Sequence, residues 1–233
     1  MSIIFQSTKI EKFKILAKIN GLETNTIDYC FDKKETTSNE SDLLEINFFS
    51  FLNKCSFEEL IETFHGLYDP LLTNTIPQFS NFDLAINRLI RHIICMFPHG
   101  IDYKIAGLNL LDPSRKKYAL VKYGENHLKI LTLLGLIYFN KNDSLFYCNN
   151  LTCLFNNLNQ LSKKEITARL ILTIPLIAKI LFLANSTEVN VSQLIGSLSS
   201  STITRRNTNI FFLINYCLGF FEEKKFLLNN IKR

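Results

Sequence analysis

A cluster of hydroxyl, amide and guanidinium side chains lies at residues 204–209, directly before an almost wholly apolar stretch at 210–221. Arginine pairs bidentately with phosphate or guanine, and asparagine pairs with adenine. The apolar stretch predicts a buried helix, so the cluster forms its polar, cationic start. Cations are unfavourable at the positive end of a helix dipole, which favours an anionic partner over a solvated helix start. The candidate contact residues are Thr204, Arg205, Arg206, Asn207 and Asn209.

A second basic segment, SRKKYALVKYGENHLK, occupies residues 114–129. Its spacing places several polar side chains on one face of a helix, with Leu128, Leu131 and Leu134 on the buried face. Contact with phosphate and ordinary solvation both fit this pattern. The candidate residues of this segment are Arg115, Lys116, Lys117, Lys122, Tyr123, Asn126 and Lys129.

Patterns for catalysis or metal binding are few. A nuclease of the PD-(D/E)xK type holds a divalent metal between an acid on one strand and an acid-x-Lys on the next. One segment follows this order loosely, with Glu23, Asp28, Asp32 and Lys34. Such combinations also arise by chance, and no Gly-rich phosphate loop, GxSxG, HExxH or zinc-ligand spacing is present. We therefore expect no catalytic residue, metal or cofactor, and Mg²⁺ only under the nuclease alternative.

Charge is distributed unevenly along the 233 residues, which are 47% hydrophobic and carry a net charge of +5. Residues 1–62 hold 7 Lys/Arg against 11 Asp/Glu, residues 63–150 hold 9 against 6, and residues 151–233 hold 10 against 4. An acidic front and a basic back favour a C-terminal part that contacts phosphate or another acidic surface.

Targeting features favour a cytoplasmic protein. Six cysteines without a CxxC pair, mostly inside apolar runs, are typical of free thiols in a reducing compartment. The opening residues lack the apolar core of a secretory signal. Residues 166–185 are long and apolar enough to suggest a membrane span, but Arg169, Pro175 and Lys179 interrupt them. We therefore expect a buried core helix there and no membrane partner.

The elements that must position the two basic segments occur in the same order twice. The first set is a helix at 82–97, a short helix at 102–111, a longer helix and a hairpin around Asn142. The second is a long helix at 164–184, a short segment at 189–198, a longer helix and a hairpin. Gly135 and Gly219 end the two longer helices, 84 residues apart. This order predicts an internal repeat. Ser56 and Glu59 also predict a capping box.

The repeat resembles the winged-helix form of the helix-turn-helix, most specifically in the Leu-Gly ending of each third helix. The resemblance implies third helices at about 117–134 and 203–218, lying in the DNA major groove. It implies wings at 136–148 and 220–228, where Lys224 and Lys225 would follow the phosphate backbone or form a solvated hairpin tip. The expected fold is mainly α with small β-hairpin wings. It comprises an acidic, small α/β part at 1–62 and winged-helix units at 63–150 and 151–233.

The resemblance implies double-stranded DNA binding, as in a transcription regulator, a replication initiator or a restriction-modification protein. Two alternatives stay open, a metal-dependent restriction endonuclease and a structural adaptor subunit of a chromosome-condensing complex. The expected partner is double-stranded DNA, and a second copy of the chain or another protein is a further candidate.

Overall fold

The computed structural model describes residues 3–32, 41–70, 76–79, 82–96, 99–110, 117–195 and 199–233. Most of them are helical, which confirms the prediction of a mainly α protein. The α-helices are α1 Ile3–Ile19, α2 Thr24–Phe31, α3 Ser41–Lys54, α4 Phe57–His65, α5 Ile90–Met96, α6 Tyr103–Leu110, α7 Lys117–Leu134, α8 Asn150–Asn157, α9 Gln160–Leu172, α10 Pro175–Ala184, α11 Val191–Leu194 and α12 Ser200–Leu218. A π-helix, Leu84–Leu89, precedes α5, and a 3₁₀ helix, Glu222–Asn230, follows α12. The strands are β1 Ile137–Asn140, β2 Leu145–Cys148, β3 Val189–Asn190 and β4 Ile231–Lys232.

The described residues of the N-terminal part form four helices, whereas the sequence predicted a small α/β part. The reason is visible in α1, where the buried residues Phe13, Leu16 and Ala17 recur at helical rather than alternating spacing. The predicted capping box is confirmed. Glu59 N donates to Ser56 Oγ at 3.1 Å, and Ser56 N donates to the Glu59 carboxylate at 2.7 Å. Most of the polar loop predicted at 32–41 lies outside the described residues.

The order of elements predicted for residues 82–148 is present, with the π-helix and α5 together in place of the first helix. Helix α7 has the predicted bounds and ends before Gly135, whose φ of +84° lies in the left-handed region that glycine adopts readily. The chain then turns into an antiparallel hairpin in which Ile137 pairs with Cys148 and Asn140 with Leu145. This confirms the predicted hairpin at 136–148.

Helices α6 and α7 approach each other closely through two glycines. A Cβ atom on Gly107 would lie 1.8 Å from the Leu120 carbonyl oxygen, and one on Gly124 would lie 2.0 Å from the Tyr103 carbonyl oxygen. These distances are far inside van der Waals contact, so only glycine allows this backbone separation. The contact fixes the position of α7 against the start of α6.

The long helix predicted at 164–184 is instead two helices, α9 and α10, bent by 77° at their junction. Pro175 is the first residue of α10, and the preceding Ile174 is extended at φ −77° and ψ 117°. Proline lacks the amide hydrogen that would continue α9 and disfavours helical geometry in the residue before it. In the part of the chain that the structure describes, no single helix is long and apolar enough to cross a membrane, and only this bent pair meets the requirement jointly.

The predicted second wing at 220–228 is wrong, because the 3₁₀ helix occupies those residues. Lys225 Nζ lies 3.1 Å from the Glu222 carboxylate three residues earlier, a pairing that a helical turn creates. The chain ends in β4, which pairs in parallel with β3 through Val189 opposite Ile231. The third helix of this half, α12, begins three residues before the predicted start and ends as predicted.

Buried hydrogen bonds connect the N-terminal helices to both later parts. Lys9 Nζ donates to the Leu133 carbonyl oxygen at 2.6 Å, at the end of α7. Arg169 Nη1, on α9, donates to the Cys55 carbonyl oxygen at 2.8 Å. One continuous apolar core lies behind these bonds and includes residues of all three predicted parts.

Candidate nucleic-acid interface

Helix α12 has a polar exposed face in its first half and a buried face in its second half. Ser201, Thr204, Arg205 and Thr208 are exposed and lie three or four residues apart, so they share one face. No acidic residue occurs from residue 199 to residue 221. The helix is anchored in the core by Ile210, Leu213, Ile214, Cys217 and Leu218.

Arg205 is the most accessible cation of this face. Its Nε donates to the Ser201 carbonyl oxygen at 3.1 Å, which aligns the side chain along the helix. Within the described ranges no carboxylate forms an ion pair with Arg205, whereas lysines elsewhere on the surface do form such pairs. A guanidinium held in this way can donate to phosphate or to a base edge.

Arg206 is partly buried, and burial lowers the pKa of its guanidinium. Arginine nevertheless keeps its charge in proteins, so α12 holds a second cation at the edge of its exposed face. Arg233 adds a third cation to the same helix, since its guanidinium carbon lies 5.3 Å from the centre of the Phe211 ring. Sequence reasoning missed Arg233, because nothing local indicates that β4 lies beside α12.

Asn207 and Asn209 face the protein interior, with only 6% and 8% of each residue exposed. Asn207 Nδ2 donates to Ser192 Oγ at 2.9 Å, and Asn209 Nδ2 donates to the Pro77 carbonyl oxygen at 2.8 Å. The geometry therefore corrects their prediction as base contacts and makes them anchors of α12. A signal was present, because Asn207 precedes the buried Ile210 by three residues, on the same helix face.

The polar face of α7 carries a local ion network. Lys122 Nζ donates to Glu125 at 2.8 Å, and Lys129 Nζ donates to the other oxygen of the same carboxylate. Burial raises the pKa of Glu125, but these two hydrogen bonds outweigh it and hold the pKa below its usual range. The network therefore keeps one net positive charge on α7.

The other residues predicted on this helix are less accessible or not described. Tyr123 is partly buried and packs against His127, with 3.9 Å between ring centroids, while Asn126 is partly exposed. Arg115 and Lys116 lie outside the described residues, as does the side chain of Lys117.

Lys224 and Lys225 are occupied by the protein's own acids, so the structure does not support them as phosphate contacts. Lys224 Nζ forms an ion pair with Glu58 and lies 5.8 Å from the centre of the Phe57 ring. Lys225 pairs with Glu222. They sit on the 3₁₀ helix rather than on a hairpin tip, and their contacts attach it to α4 and to its own first turn.

A further pair of cations was not predicted. Burial lowers the pKa of Lys163 on α9, and the nearby Arg91 guanidinium on α5 lowers it further. The two residues are 72 positions apart in the chain. Only the tertiary fold brings them near each other, so no sequence pattern contains this information.

The acids considered for nuclease chemistry do not lie on strands. Asp28 is within α2, Glu23 is its N-cap and Asp32 its C-cap. Asp28 forms an ion pair with Lys14 at 2.7 Å. Lys34 lies outside the described residues. Among the residues that are described, no group of three or more His, Cys, Asp or Glu side chains is placed to hold a metal ion.

No protein-family model matches the chain, and neither a curated protein nor a solved structure is significantly similar to it. A function must therefore be inferred from the site itself.

Proposed function

We propose that this protein binds double-stranded DNA through the exposed face of α12. The observation that carries the proposal is that Arg205 and its three hydroxyl neighbours form an acid-free face on a helix anchored by a buried core. Guanidinium and hydroxyl groups are among the donors that contact phosphate oxygens. The Thr204 and Thr208 hydroxyls donate to the Ser200 and Thr204 carbonyl oxygens, so the Arg205 guanidinium supplies most of the donors of this face. The two inward-facing asparagines fix the rotation of the helix and keep this face outward.

Positive charge outside the exposed face of α12 also supports the proposal. Arg206 lies on the same helix and Arg233 beside it, and residues 151–233 carry 10 basic against 4 acidic side chains. A net positive surface attracts the phosphate backbone and releases condensed counterions on contact.

Helix α7 is the second part of the proposed interface. It follows a shorter helix and precedes a hairpin, which is the order that gave rise to the winged-helix resemblance. We propose that α7 contributes a weaker contact than α12, because Glu125 neutralises one of its two paired lysines. A transcription regulator or replication initiator is the role that this arrangement of two helices fits best.

Anisotropy of a labelled random-sequence duplex tests the proposal. Arg205→Gln should weaken binding by about 1–3 kcal/mol if the residue reads a base, and by less if it contacts only phosphate. Lys18→Gln is the matched control, since it removes one exposed cation from the acidic N-terminal part. Equal affinities for Arg205→Gln and the parent protein, or an equal loss in the control, would contradict the proposal.

A protein-contact role, as in a structural adaptor, is the second candidate. Phe212 on α12 and Phe220 just after it, which are 43% and 38% exposed, flank Tyr216 and form an aromatic row. Exposed aromatic side chains are enriched at protein interfaces. If the row joins two copies of the chain, Phe212→Ser should abolish a dimer in sedimentation equilibrium while DNA affinity per chain stays unchanged.

A further inference from the structure

A cavity of about 180 Å³ lies between α6, α7 and the β1–β2 hairpin. It is separate from the exposed face of α12, but one of its lining residues, Lys129, also belongs to the α7 part of the proposed DNA interface. Its lining residues are Tyr103, Glu125, Lys129, Thr132, Phe139 and Phe146.

The walls of the cavity are largely hydrocarbon. Phe139 and Phe146 are opposite each other on β1 and β2, with ring centroids 4.8 Å apart. The Thr132 hydroxyl donates to the Leu128 carbonyl oxygen at 2.9 Å, so its one donor hydrogen is already used. An apolar cavity of about 150 Å³ is large enough to bind benzene. The space therefore suits a single aromatic ring.

Backbone contacts on both sides of the cavity preform it. Ile101, just before α6, exchanges two hydrogen bonds with Phe146 of β2, at 2.9 and 3.0 Å. On the other side, the Tyr103 carbonyl oxygen lies against the backbone of Gly124 on α7. These two contacts hold the start of α6 between the hairpin and α7. A pocket built on such fixed elements needs little rearrangement to accept a ligand.

The two charged residues that line the cavity, Glu125 and Lys129, pair with each other, and Lys122 beside them adds one positive charge. Glu125 accepts hydrogen bonds from both Lys122 and Lys129, so the three side chains retain one net positive charge. Lys129 lines the cavity itself, its ammonium group pairs with Glu125, and its side chain is 43% exposed. An anionic group on the ligand would balance this charge.

We propose that the cavity binds a small aromatic carboxylate, with the ring between Tyr103 and the two phenylalanines and the carboxylate at Lys129. Ring size follows from the cavity volume, and the sign of the charge follows from the Lys122–Glu125–Lys129 network. A neutral aromatic compound, or an apolar side chain of a partner protein, would pack against the aromatic walls without contacting Lys129.

Benzoate and toluene are a suitable pair of probes, because they share a ring and differ in charge. Binding to the full chain is followed by isothermal titration and by the ¹H–¹³C resonances of the cavity residues. The parent protein should bind benzoate more tightly than toluene, with shifts at Thr132 and Phe146. Lys129→Gln should weaken benzoate about tenfold, as expected for a lost charge-assisted hydrogen bond, and leave toluene within about twofold.

Two further variants test whether the probes bind in this cavity rather than elsewhere on the protein. Thr132→Leu should fill the space and abolish binding of both probes. Lys141→Gln removes an exposed hairpin cation outside the cavity and should change neither affinity. Toluene binding without benzoate binding would overturn the proposal. Benzoate binding that neither Lys129→Gln nor Thr132→Leu alters would also overturn it.

Discussion

Replacing Gly124 with alanine should destabilise the protein by forcing α6 away from α7. The added methyl carbon would lie 2.0 Å from the Tyr103 carbonyl oxygen and 2.5 Å from the Gly107 amide nitrogen. Both are backbone atoms, so no side-chain rotation relieves the collision. Alanine is favoured over glycine in a helix by about 1 kcal/mol. Overpacking of a well-packed contact costs about 1–3 kcal/mol and occasionally more. Because the collision is with backbone atoms, we expect the upper end of this range and a net loss of about 2 kcal/mol.

Urea denaturation followed by far-UV circular dichroism measures this change. Gly66→Ala is the matched control, since no heavy atom lies within 4 Å of its Cβ position and its φ of −69° suits any residue. The control should be neutral or stabilising by up to about 1 kcal/mol. Gly107→Ala should also destabilise, and the double variant should lose less than the sum, because one helix displacement relieves both contacts. A Gly124→Ala protein as stable as the parent would refute the close approach of α6 and α7.

Three other results are expected. Asn209→Ala should lower the unfolding free energy by about 1–3 kcal/mol, because the substitution leaves a buried carbonyl oxygen without its donor. Asn215→Ala, at an exposed position, should change the unfolding free energy by about 0.5 kcal/mol or less. Equal effects of the two substitutions in urea denaturation would contradict the inward orientation of Asn209. Burial lowers the pKa of Lys9 from 10.5 to about 7, so the unfolded chain binds more protons between these values and stability rises with pH there. Lys9→Met should flatten the rise in unfolding free energy between pH 7 and pH 9, and an unchanged slope would contradict the lowered pKa of Lys9. Saturating benzoate should weaken duplex binding by the parent protein but not by the Lys129→Gln variant. If benzoate binds without weakening duplex binding, α7 is not part of the DNA interface, while the proposed ligand site still stands.

The sequence contained enough information to predict the two longer helices. In both, an apolar stripe with helical spacing continues to a Leu-Gly ending, and the observed helices end at Leu134 and Leu218. The hairpin after α7 was also predictable, because two short apolar runs flank an Asn-Asp turn.

Other features depend on tertiary contacts. The run FFEEKKFLLN alternates apolar and charged groups as a hairpin does, yet Lys224 finds its partner on α4 and Lys225 on the preceding turn. The closeness of Arg91 to Lys163 and the cavity beside α7 also arise from the packing of distant segments. Local patterns do not encode such pairs.

Binding of a random-sequence duplex as a function of salt concentration decides whether the basic surface around α12 contacts DNA. We expect the logarithm of the association constant to fall linearly with the logarithm of the salt concentration, by about 0.9 per neutralised phosphate. Arg205→Gln should reduce the magnitude of this slope by about 1. No detectable binding at about 50 mM salt, or an affinity that does not change with salt, would contradict DNA binding by this protein.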